Sequence, residues 1–445
     1  MELSVGLDFG TSNSSVAVYD GEKLALVPLD PEAPDVAVMR TLLYLARDGG
    51  VYYGQAALDR YLEQNVGRPV KLERRYVGTS EMTFASTGTI TKDTHALVDV
   101  NEPWRLFQSI KTFLPDSTFK GTNVYGTFYT LDELIAQLTR EMLARVERFT
   151  GSPVARLTVG RPVHFSDVPE NDRLSRERQE AAFGRLAVPV VRYLEEPVAA
   201  AYEYARNAAA SRRALVFDFG GGTLDVTVIH TRKGVPEVLA TGGVPVGGDL
   251  LDRRIVETHL LAHFGEGATV GRRQMPLPRY IFGRLLHWQS MALLNRPDTV
   301  EVIRNAIAES DRPGQLKALL TLISRTYGLE LFRTVEETKR LLSERQFTTL
   351  EFQREGIDVR EPLSRADFES AIHAQFVEVE RCVLDTVARS GVRANAIDAI
   401  VTTGGSSRIP LFRQMLQQHF PAAELAERSA FTSVAAGLAV AGASA

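Results

Sequence analysis

Two segments of the chain share one pattern of hydrophobic and polar positions. Residues 5–18 and residues 216–228 each run from an apolar stretch into Asp-Phe-Gly, pass through small glycine or hydroxyl residues, and then resume apolar residues at alternate positions. Alternation with a period of two predicts β-strands, and a short polar run between two strands predicts a turn. The sequence therefore predicts two similar β-hairpins, with polar tips at residues 10–13 and 220–223.

The rest of the chain mixes helical and strand-like patterns. Helical spacing is found at residues 131–149, 177–186, 198–206, 365–390 and 411–419, and strand-like runs at 156–160, 188–193, 348–352 and 399–403. Residues 79–94 are rich in threonine and serine and are expected to form an exposed excursion. This mixture predicts an α/β fold.

Residues 265–327 differ from the rest of the chain. Their pattern is helical and arginine-rich, and prolines 276, 278, 297 and 313 divide it into short pieces. We interpret this stretch as an added or enlarged helical subdomain. Its charge is typical of a solvated surface, and a binding site for a protein partner is the alternative.

Length and composition limit the class of protein. A chain of 445 residues is long enough for two large domains, and the polar, alanine-rich residues 206–213 offer a boundary between 1–207 and 208–445. The formal net charge of −4 gives no support for binding to nucleic acid. The single cysteine, Cys382, fits a reducing compartment. No signal-peptide pattern opens the chain, and the apolar tail is too short to span a bilayer, so we expect a cytoplasmic protein without a membrane partner.

The two hairpin tips are candidate phosphate sites. Glycine and hydroxyl residues let the backbone approach a ligand and turn several N–H groups toward an anion. The tip residues are Gly10, Thr11, Ser12 and Asn13 in the first hairpin and Gly220, Gly221, Gly222 and Thr223 in the second. Asp8 and Asp218 precede the tips at matching positions, and Asp225 stands where the first hairpin has Ser15. Carboxylates beside a polyphosphate are suited to Mg²⁺, so Asp8 and Asp218 are candidate metal ligands.

Two further segments carry candidate ligand-binding residues. A loop of small residues follows the strand at 399–403 and contains Gly404, Gly405, Ser406 and Arg408. Backbone N–H groups at the start of the next helix favour an anion or a closely packed ring. Separately, Glu336, Lys339, Arg340 and Ser343 fall on one face of a predicted helix. Taken alone, that face is more typical of an exposed, salt-bridged helix than of a binding site.

Together these segments resemble the ATPase domain of the DnaK-type seventy-kilodalton heat-shock chaperones, which share a superfamily with actin and the sugar kinases. The resemblance implies two actin-like (ribonuclease H-like) lobes, each a mixed sheet flanked by helices, with a cleft for ATP or ADP and Mg²⁺. It implies inserted subdomains at about 37–149 and 246–384, and a C-terminal helix at about 432–443 that packs on the first lobe. The tips resemble the family's phosphate loops, residues 404–410 its adenosine loop, and residues 336–343 its nucleoside-clasping helix.

The same resemblance assigns roles to individual residues. Lys111 would orient the attacking water and the γ-phosphate, and Glu196 would act at the metal and water shell. Asp218 and Asp225 would complete the catalytic set. Gly247 and Gly248 resemble the family's hinge after the second hairpin, and Pro162 and Arg178 resemble residues that relay the nucleotide state.

The chain also departs from the full-length chaperones. Asn13 replaces an aromatic residue, Glu195 replaces the asparagine before the Glu-Pro pair, and Phe431 stands where an acidic residue is usual. The sequence offers no linker, β-sandwich or helical lid for peptide clients. These features resemble the YegD-like branch and imply a slow ATPase without a dedicated peptide-binding domain. Two alternatives remain, namely a small-molecule kinase with Asp225 as base and a nucleotide-switched, actin-like scaffold.

Overall fold

The computed structural model describes residues 3–46, 49–68, 72–84, 88–99, 104–124, 126–166, 168–207, 211–232, 235–427 and 432–443. They form two compact units. The first unit contains residues 1–60, 105–251 and 369–445, and the second contains residues 61–104 and 252–368. This division differs from the predicted lobes 1–207 and 208–445, which remain a prediction. Phe431, singled out in the sequence, lies outside the described residues.

The described residues contain the following strands: β1 Ser4–Phe9, β2 Asn13–Tyr19, β3 Leu24–Leu26, β4 Val38–Arg40, β5 Leu42–Ala46, β6 Val51–Tyr53, β7 Leu72–Phe84, β8 Gly88–Asp99, β9 Trp104–Gln108, β10 Gly121–Val124, β11 Thr127–Thr130, β12 Arg156–Arg161, β13 Val190–Glu195, β14 Arg212–Phe219, β15 Leu224–Arg232, β16 Val235–Val244, β17 Thr269–Val270, β18 Met275–Pro276, β19 Phe347–Arg354, β20 Ile357–Ser364, β21 Ala399–Thr403 and β22 Glu424–Glu427.

The α-helices of the same residues are α1 Gly54–Asn65, α2 Leu131–Thr150, α3 Pro169–Gly184, α4 Glu196–Asn207, α5 Gly248–Ile255, α6 Arg279–Leu285, α7 Trp288–Met291, α8 Pro297–Glu309, α9 Pro313–Ser324, α10 Gly328–Glu344, α11 Arg365–Ala371, α12 His373–Arg389, α13 Pro410–His419 and α14 Ser433–Ala443. Short 3₁₀ segments include Ile110–Phe113 and Gly405–Arg408, and a π-helical turn spans Val256–Leu260. The predicted mixed α/β class is confirmed.

The first unit contains two mixed sheets with the same topology. In one sheet the strand order is β13-β12-β1-β2-β3, with β4 as a sixth strand that also pairs with β2, and in the other it is β22-β21-β14-β15-β16. In both sheets the first hairpin strand pairs antiparallel with the second and parallel with a later strand. The repeated sequence pattern therefore reflects a repeat of the whole sheet, not only of its hairpin.

Register places the aspartates at matching points of the two hairpins. Asp8 is opposite Ser15 in the first hairpin, and Asp218 is opposite Asp225 in the second. Each pair lies one position before the end of the ladder, next to the polar tip. Most residues of the four hairpin strands are buried, on both faces of the sheets, which is more burial than the alternation in the sequence predicted.

Helix starts follow local chemistry. Thr130 and Glu133 form a capping box at the start of α2. Proline occupies the first turn of α3, α8 and α9, where its missing N–H is not needed. The prolines of residues 265–327 thus open helices or occupy β18, as the sequence suggested.

Helix α14 lies inside the first unit. Its residues 433–442 are all buried, and it packs on α4 and on strands β1, β2 and β12. A methyl group at Gly437 would clash with the backbone carbonyl of Ala199 in α4, so only glycine allows this approach. Among the described helices, none is both long enough and apolar enough to cross a bilayer.

Several predicted boundaries differ from the structure. Helix α3 begins at Pro169, eight residues before the predicted start at residue 177, because Pro169 is followed by polar residues that hide the helical period. The predicted helix 365–390 is divided into α11 and α12. Of the predicted excursion at 79–94, residues 79–84 belong to β7 and residues 88–94 to its partner β8, both in the second unit.

Candidate functional site

The first unit contains a buried ion pair between two residues far apart in sequence. The Lys111 Nζ atom donates to Glu196 Oε1 at 2.6 Å, and both residues are less than a tenth exposed. Glu196 is placed by the end of β13 at Glu195 and the immediate start of α4. The structure therefore brings together two of the residues that the resemblance names as catalytic.

Three aspartates surround this ion pair electrostatically. Although Asp8 keeps some solvent contact, its depth in the protein and repulsion from Glu196 raise its pKa to about 8. The same two causes raise the pKa of Asp225 to about 7. Burial, with repulsion from Glu196, Asp225 and Asp8, raises the pKa of Asp218 well above its usual range. These carboxyl groups are close enough to oppose one another's ionisation.

Lys111 is the cation of this cluster. Burial acts to lower its pKa, but attraction to Glu196, Asp8 and Asp225 outweighs burial, so the pKa is raised. Lys111 therefore stays charged, and one lysine faces four carboxyl groups. The four carboxyl groups can carry more negative charge than Lys111 neutralises, so a further cation would be stabilised beside them.

Asp225 links the two sheets of the first unit. Its Oδ1 atom accepts a hydrogen bond from the backbone N–H of Val163, just after β12, at 2.8 Å. Its Oδ2 atom accepts from the hydroxyl of Thr223 at 3.0 Å. Asp225 is 2 % exposed, so these two protein donors take the place of water.

The hairpin tips lie against one another. A methyl group added at Gly221 would clash with Ser12 Oγ, and one at Gly222 would meet Thr11 Oγ1 at 2.8 Å. With any other residue at 221 or 222, the side chain of Ser12 or Thr11 would have to shift. The two predicted phosphate tips are thus adjacent, with their backbones accessible to a shared ligand.

Residues 248–249, which belong to the predicted hinge, and the loop at 404–408 pack on the second tip. Backbone N–H groups of Gly248 and Asp249 donate to the carbonyls of Gly220 and Gly221 at 3.0 and 2.9 Å. The Ser406 hydroxyl donates to the Gly220 carbonyl at 3.0 Å. The loop that contains Gly404, Gly405 and Arg408 is therefore held beside the second tip, although Arg408 itself is exposed.

Lys111 lies on a tightly constrained turn. It belongs to the 3₁₀ segment Ile110–Phe113, and Ser109 before it has φ of 55°, a left-handed conformation that costs energy for serine. The guanidinium of Arg178 on α3 binds the turn that follows. It donates to the carbonyls of Phe113, Leu114, Asp116 and Phe119 at 3.1, 3.0, 2.9 and 2.7 Å.

The predicted nucleoside-clasping face lies on α10 in the second unit. Lys339 Nζ donates to the buried Asp252 Oδ2 at 2.8 Å. Arg340 forms ion pairs with Glu337 and Glu344. These exposed pairs are what an exposed, salt-bridged helix would show. The Ser343 hydroxyl donates to the Lys339 carbonyl at 3.2 Å. The helix is confirmed, while the nucleotide role of Glu336, Lys339, Arg340 and Ser343 stays a prediction.

The carboxylates of the first unit fit a magnesium ion. Asp8 and Asp218 offer hard oxygen ligands, and a divalent cation would relieve the repulsion that raises their pKa values. Within the described residues, no group of three or more His, Cys, Asp or Glu side chains is placed to hold a metal ion. Mg²⁺ would therefore be held together with water and phosphate oxygens, as is usual for this ion.

Sequence reasoning missed several neighbours of these residues. Thr41 donates to the Gly10 carbonyl at 2.9 Å and bonds Ser14, which supports the first tip. Asp249 accepts from Ser12 at 3.4 Å, and Asp252 binds Lys339. Each of these contacts joins residues more than 20 positions apart, so no local sequence pattern could predict them.

Comparisons with known proteins match most of the chain. The family described as Hsp70 protein matches residues 92–278 and 324–444. Heat shock 70 kDa protein BIP3 of Oryza sativa subsp. japonica is 29% identical over 426 residues, which are 94% of this chain and 52% of that protein. The Chaperone protein HscA homolog of Shewanella putrefaciens is 26% identical over 426 residues, 94% of this chain and 54% of that protein.

The chain thus spans about half the length of these relatives. The family match contains Lys111, Glu196 and the second hairpin, and it leaves out residues 279–323. The first hairpin precedes the match, but it repeats the topology of the second. On this match, which covers well over half of its residues, the chain belongs to the Hsp70 family.

Proposed function

We propose that this protein binds ATP with Mg²⁺ and hydrolyses ATP to ADP and phosphate at the cluster around Lys111. The observation that carries the proposal is the buried Lys111–Glu196 pair among Asp8, Asp218 and Asp225, beside two adjacent glycine and hydroxyl tips. An excess of carboxyl groups next to anion-binding loops is suited to a metal-bound polyphosphate. Membership of the Hsp70 family supports the same activity.

The chemistry would depend on positioning and charge. Bound Mg²⁺ supplies positive charge that offsets the charge of the phosphates. Backbone N–H groups of the tips would hold the phosphate oxygens, and Asp8 and Asp218 would bind the hydrated metal. The ammonium group of Lys111 donates one hydrogen bond to Glu196. Its other two N–H groups would donate to the γ-phosphate and to the attacking water. Glu196 would accept a hydrogen bond from that water and orient it.

Asp225 has a supporting part in this proposal. Both of its oxygens accept hydrogen bonds from protein groups, Val163 N–H and the Thr223 hydroxyl. A kinase would need Asp225 as a base facing a substrate hydroxyl. Its engagement with two protein donors favours hydrolysis over phosphate transfer to a small molecule.

The names of the two relatives suggest which cellular role this activity would serve. They are a heat shock protein and a chaperone homolog. We propose a chaperone-type role in which protein partners respond to the nucleotide state. Within the family we place the chain in the YegD-like branch on the strength of Asn13 and Glu195, and the single cysteine favours a cytoplasmic location.

The test is ATP turnover without an acceptor, measured for the wild type and for Lys111→Ala. We expect the variant to lose about 100-fold or more in turnover, because a charged group at the reacting phosphate is removed, while ATP binding persists. Lys120→Ala is the matched control, since Lys120 is an exposed lysine on the same part of the chain. Equal turnover in both variants, or no saturable ATP binding by the wild type, would refute the proposal.

A further inference from the structure

A continuous stretch of the second unit contains arginine but no acidic residue. Between Glu266 and Asp298 the sequence has five arginines and no lysine, aspartate or glutamate, in a chain whose formal net charge is −4. We name residues 271–296 the arginine segment. Its arginines are Arg272, Arg273, Arg279, Arg284 and Arg296. A positive segment in an acidic protein needs a physical explanation.

These arginines differ in their contacts from other arginines of the second unit. Within the described part of the chain, none of the five makes a side-chain hydrogen bond or an ion pair. Other arginines of the same unit do, since Arg254, Arg340 and Arg354 each pair with a glutamate. Four of the five are exposed and Arg284 is half-buried. Their charges are therefore not used for the stability of the unit.

Large apolar side chains are exposed among these arginines. Met275 is 60% exposed, Tyr280 is 48% exposed and Leu293 is 53% exposed. In α6, Ile281, Phe282 and Leu285 face the core, while Arg279, Tyr280 and Gly283 are exposed on the other side. Arginine, tyrosine and methionine are the residues enriched at the centres of protein interfaces.

The start of the segment is held in a fixed shape. Arg272 and Arg273 lie in the turn between β17 and β18, and Gln274 there has φ of 49°, a strained value for a residue with a side chain. The Gly271 N–H donates to the carbonyl of Glu309 at the end of α8, at 3.1 Å. A rigid turn loses little conformational entropy when it binds a partner.

The segment also lies largely outside the residues that the Hsp70 family model matches. The family match ends at residue 278 and resumes at residue 324. Arg279, Arg284 and Arg296 fall within this interval, with Tyr280 and Leu293. These residues therefore lie in an interval that the family model does not match.

We propose that the arginine segment binds an acidic segment of a protein partner, in which glutamate or aspartate side chains alternate with apolar residues. The positive charges of the segment all come from arginine, whose guanidinium group binds a carboxylate with two parallel hydrogen bonds. The exposed Met275, Tyr280 and Leu293 match apolar side chains of a peptide better than a phosphate backbone. Nucleic acid is disfavoured, because its binding draws on many phosphate contacts and the chain as a whole is acidic.

The test measures binding of a fluorescein-labelled peptide built from Glu-Glu-Leu repeats by fluorescence anisotropy. The charge-reversed variant Arg272→Glu/Arg273→Glu/Arg279→Glu changes only exposed side chains, and circular dichroism checks its fold. We expect its Kd to rise about tenfold or more, the equivalent of about 1.4 kcal/mol. Met275→Ser should weaken binding without altering the salt dependence, which distinguishes the apolar contribution from the charge.

The matched control is Lys317→Glu/Arg345→Glu/Arg393→Glu, which reverses three exposed charges elsewhere. The proposal predicts an effect of less than about twofold for this control, because its charges lie outside the segment. An equal loss of binding in both triple variants would overturn the proposal. So would tighter binding of the wild type to a single-stranded oligonucleotide or to vesicles of anionic lipid than to the peptide. None of these measurements depends on ATP hydrolysis.

Discussion

At the scale of single residues, the aspartates near Lys111 make stability depend on pH. The pKa values of Asp8 and Asp225 are raised to about 8 and about 7 by burial and by Glu196. Between the ordinary aspartate pKa and these values, the folded protein binds more protons than the unfolded chain. The free energy of unfolding therefore falls as pH rises through this window, by about 1.4 kcal/mol for each pKa unit of each group at most.

We expect urea unfolding of the nucleotide-free protein to show lower stability at about pH 8.5 than at about pH 5.5. Asp8→Asn, which keeps the size of the side chain and removes its charge, should flatten this difference. Asp385→Asn changes an exposed aspartate on α12 and should leave the difference intact. A pH dependence that is the same in all three proteins would contradict the assignment to Asp8.

At the scale of elements, Arg178 on α3 fixes the turn that follows Lys111 through four carbonyl groups. If Lys111 acts on ATP, Arg178→Ala should lower kcat about tenfold through misplacement of the lysine, while the Kd for ATP stays the same. The rate of phosphate release at saturating ATP measures kcat, and equilibrium binding of ATP measures Kd, so the two experiments together distinguish a change in catalysis from a change in affinity.

Arg173→Ala is the control for this variant, since Arg173 lies on the same helix but is 75% exposed and only loosely paired with Glu177, at 3.8 Å. Arg178→Lys should restore little of the rate, because a lysine cannot reach four carbonyls as a planar guanidinium does. A purely structural role for Arg178 would instead lower turnover and ATP affinity together.

The contact between α14 and α4 gives a second prediction for an element. Gly437→Ala should destabilise the first unit by about 1–3 kcal/mol, because the added methyl group is forced against the Ala199 carbonyl. Gly184→Ala at the end of α3 is the matched control, since a methyl group there meets open space. Chemical denaturation should show a loss for the first variant and at most a small gain for the second.

Local sequence signals account for the elements that were predicted well. Alternation and polar tips located both hairpins, and the buried apolar run 399–403 is β21. Local signals fail where a long-range contact decides the structure. The carbonyls bound by Arg178 carry no side-chain signature, and the pairing of Lys339 with Asp252 joins two helices 87 positions apart in sequence. The sequence could propose roles for Arg178 and Lys339, but not their partners.

At the scale of the whole molecule, the proposed ligand should stabilise the native state. A ligand at 100 times its Kd adds about 2.7 kcal/mol to the free energy of unfolding when it binds only the folded protein. We expect MgATP to raise the melting temperature, and EDTA to remove most of this shift because Asp8 and Asp218 then face the phosphates without a cation. Thermal unfolding with ATP, with MgATP and with EDTA measures both effects.

Lys111→Ala should keep most of the MgATP shift, since its role is assigned to the reaction rather than to binding. Asp8→Asn/Asp218→Asn should instead make the shift independent of magnesium. A shift that is unaffected by EDTA in the wild type would contradict the proposed metal site.

The repeat is the property of the whole chain that the sequence revealed most clearly. Matching positions of Asp8 and Asp218 predicted related hairpins, and the structure extends the match to five strands in each sheet. The two compact units could not be predicted in the same way, and the division at residue 207 stays a prediction. Compact units depend on contacts among distant segments, and residues 61–104 group with 252–368 although they lie far apart in sequence.

The bonds of Asp225 have one more consequence. A single carboxylate accepts donors from both sheets, Val163 N–H after β12 and the Thr223 hydroxyl before β15, and it accepts both fully only when ionised. With a pKa of about 7, it gains and loses its proton close to neutrality. Close to neutral pH, ionisation of Asp225 therefore strengthens its bonds to the two sheets but also adds to the repulsion from Glu196, and burial together with this repulsion makes the fold more stable when Asp225 is protonated.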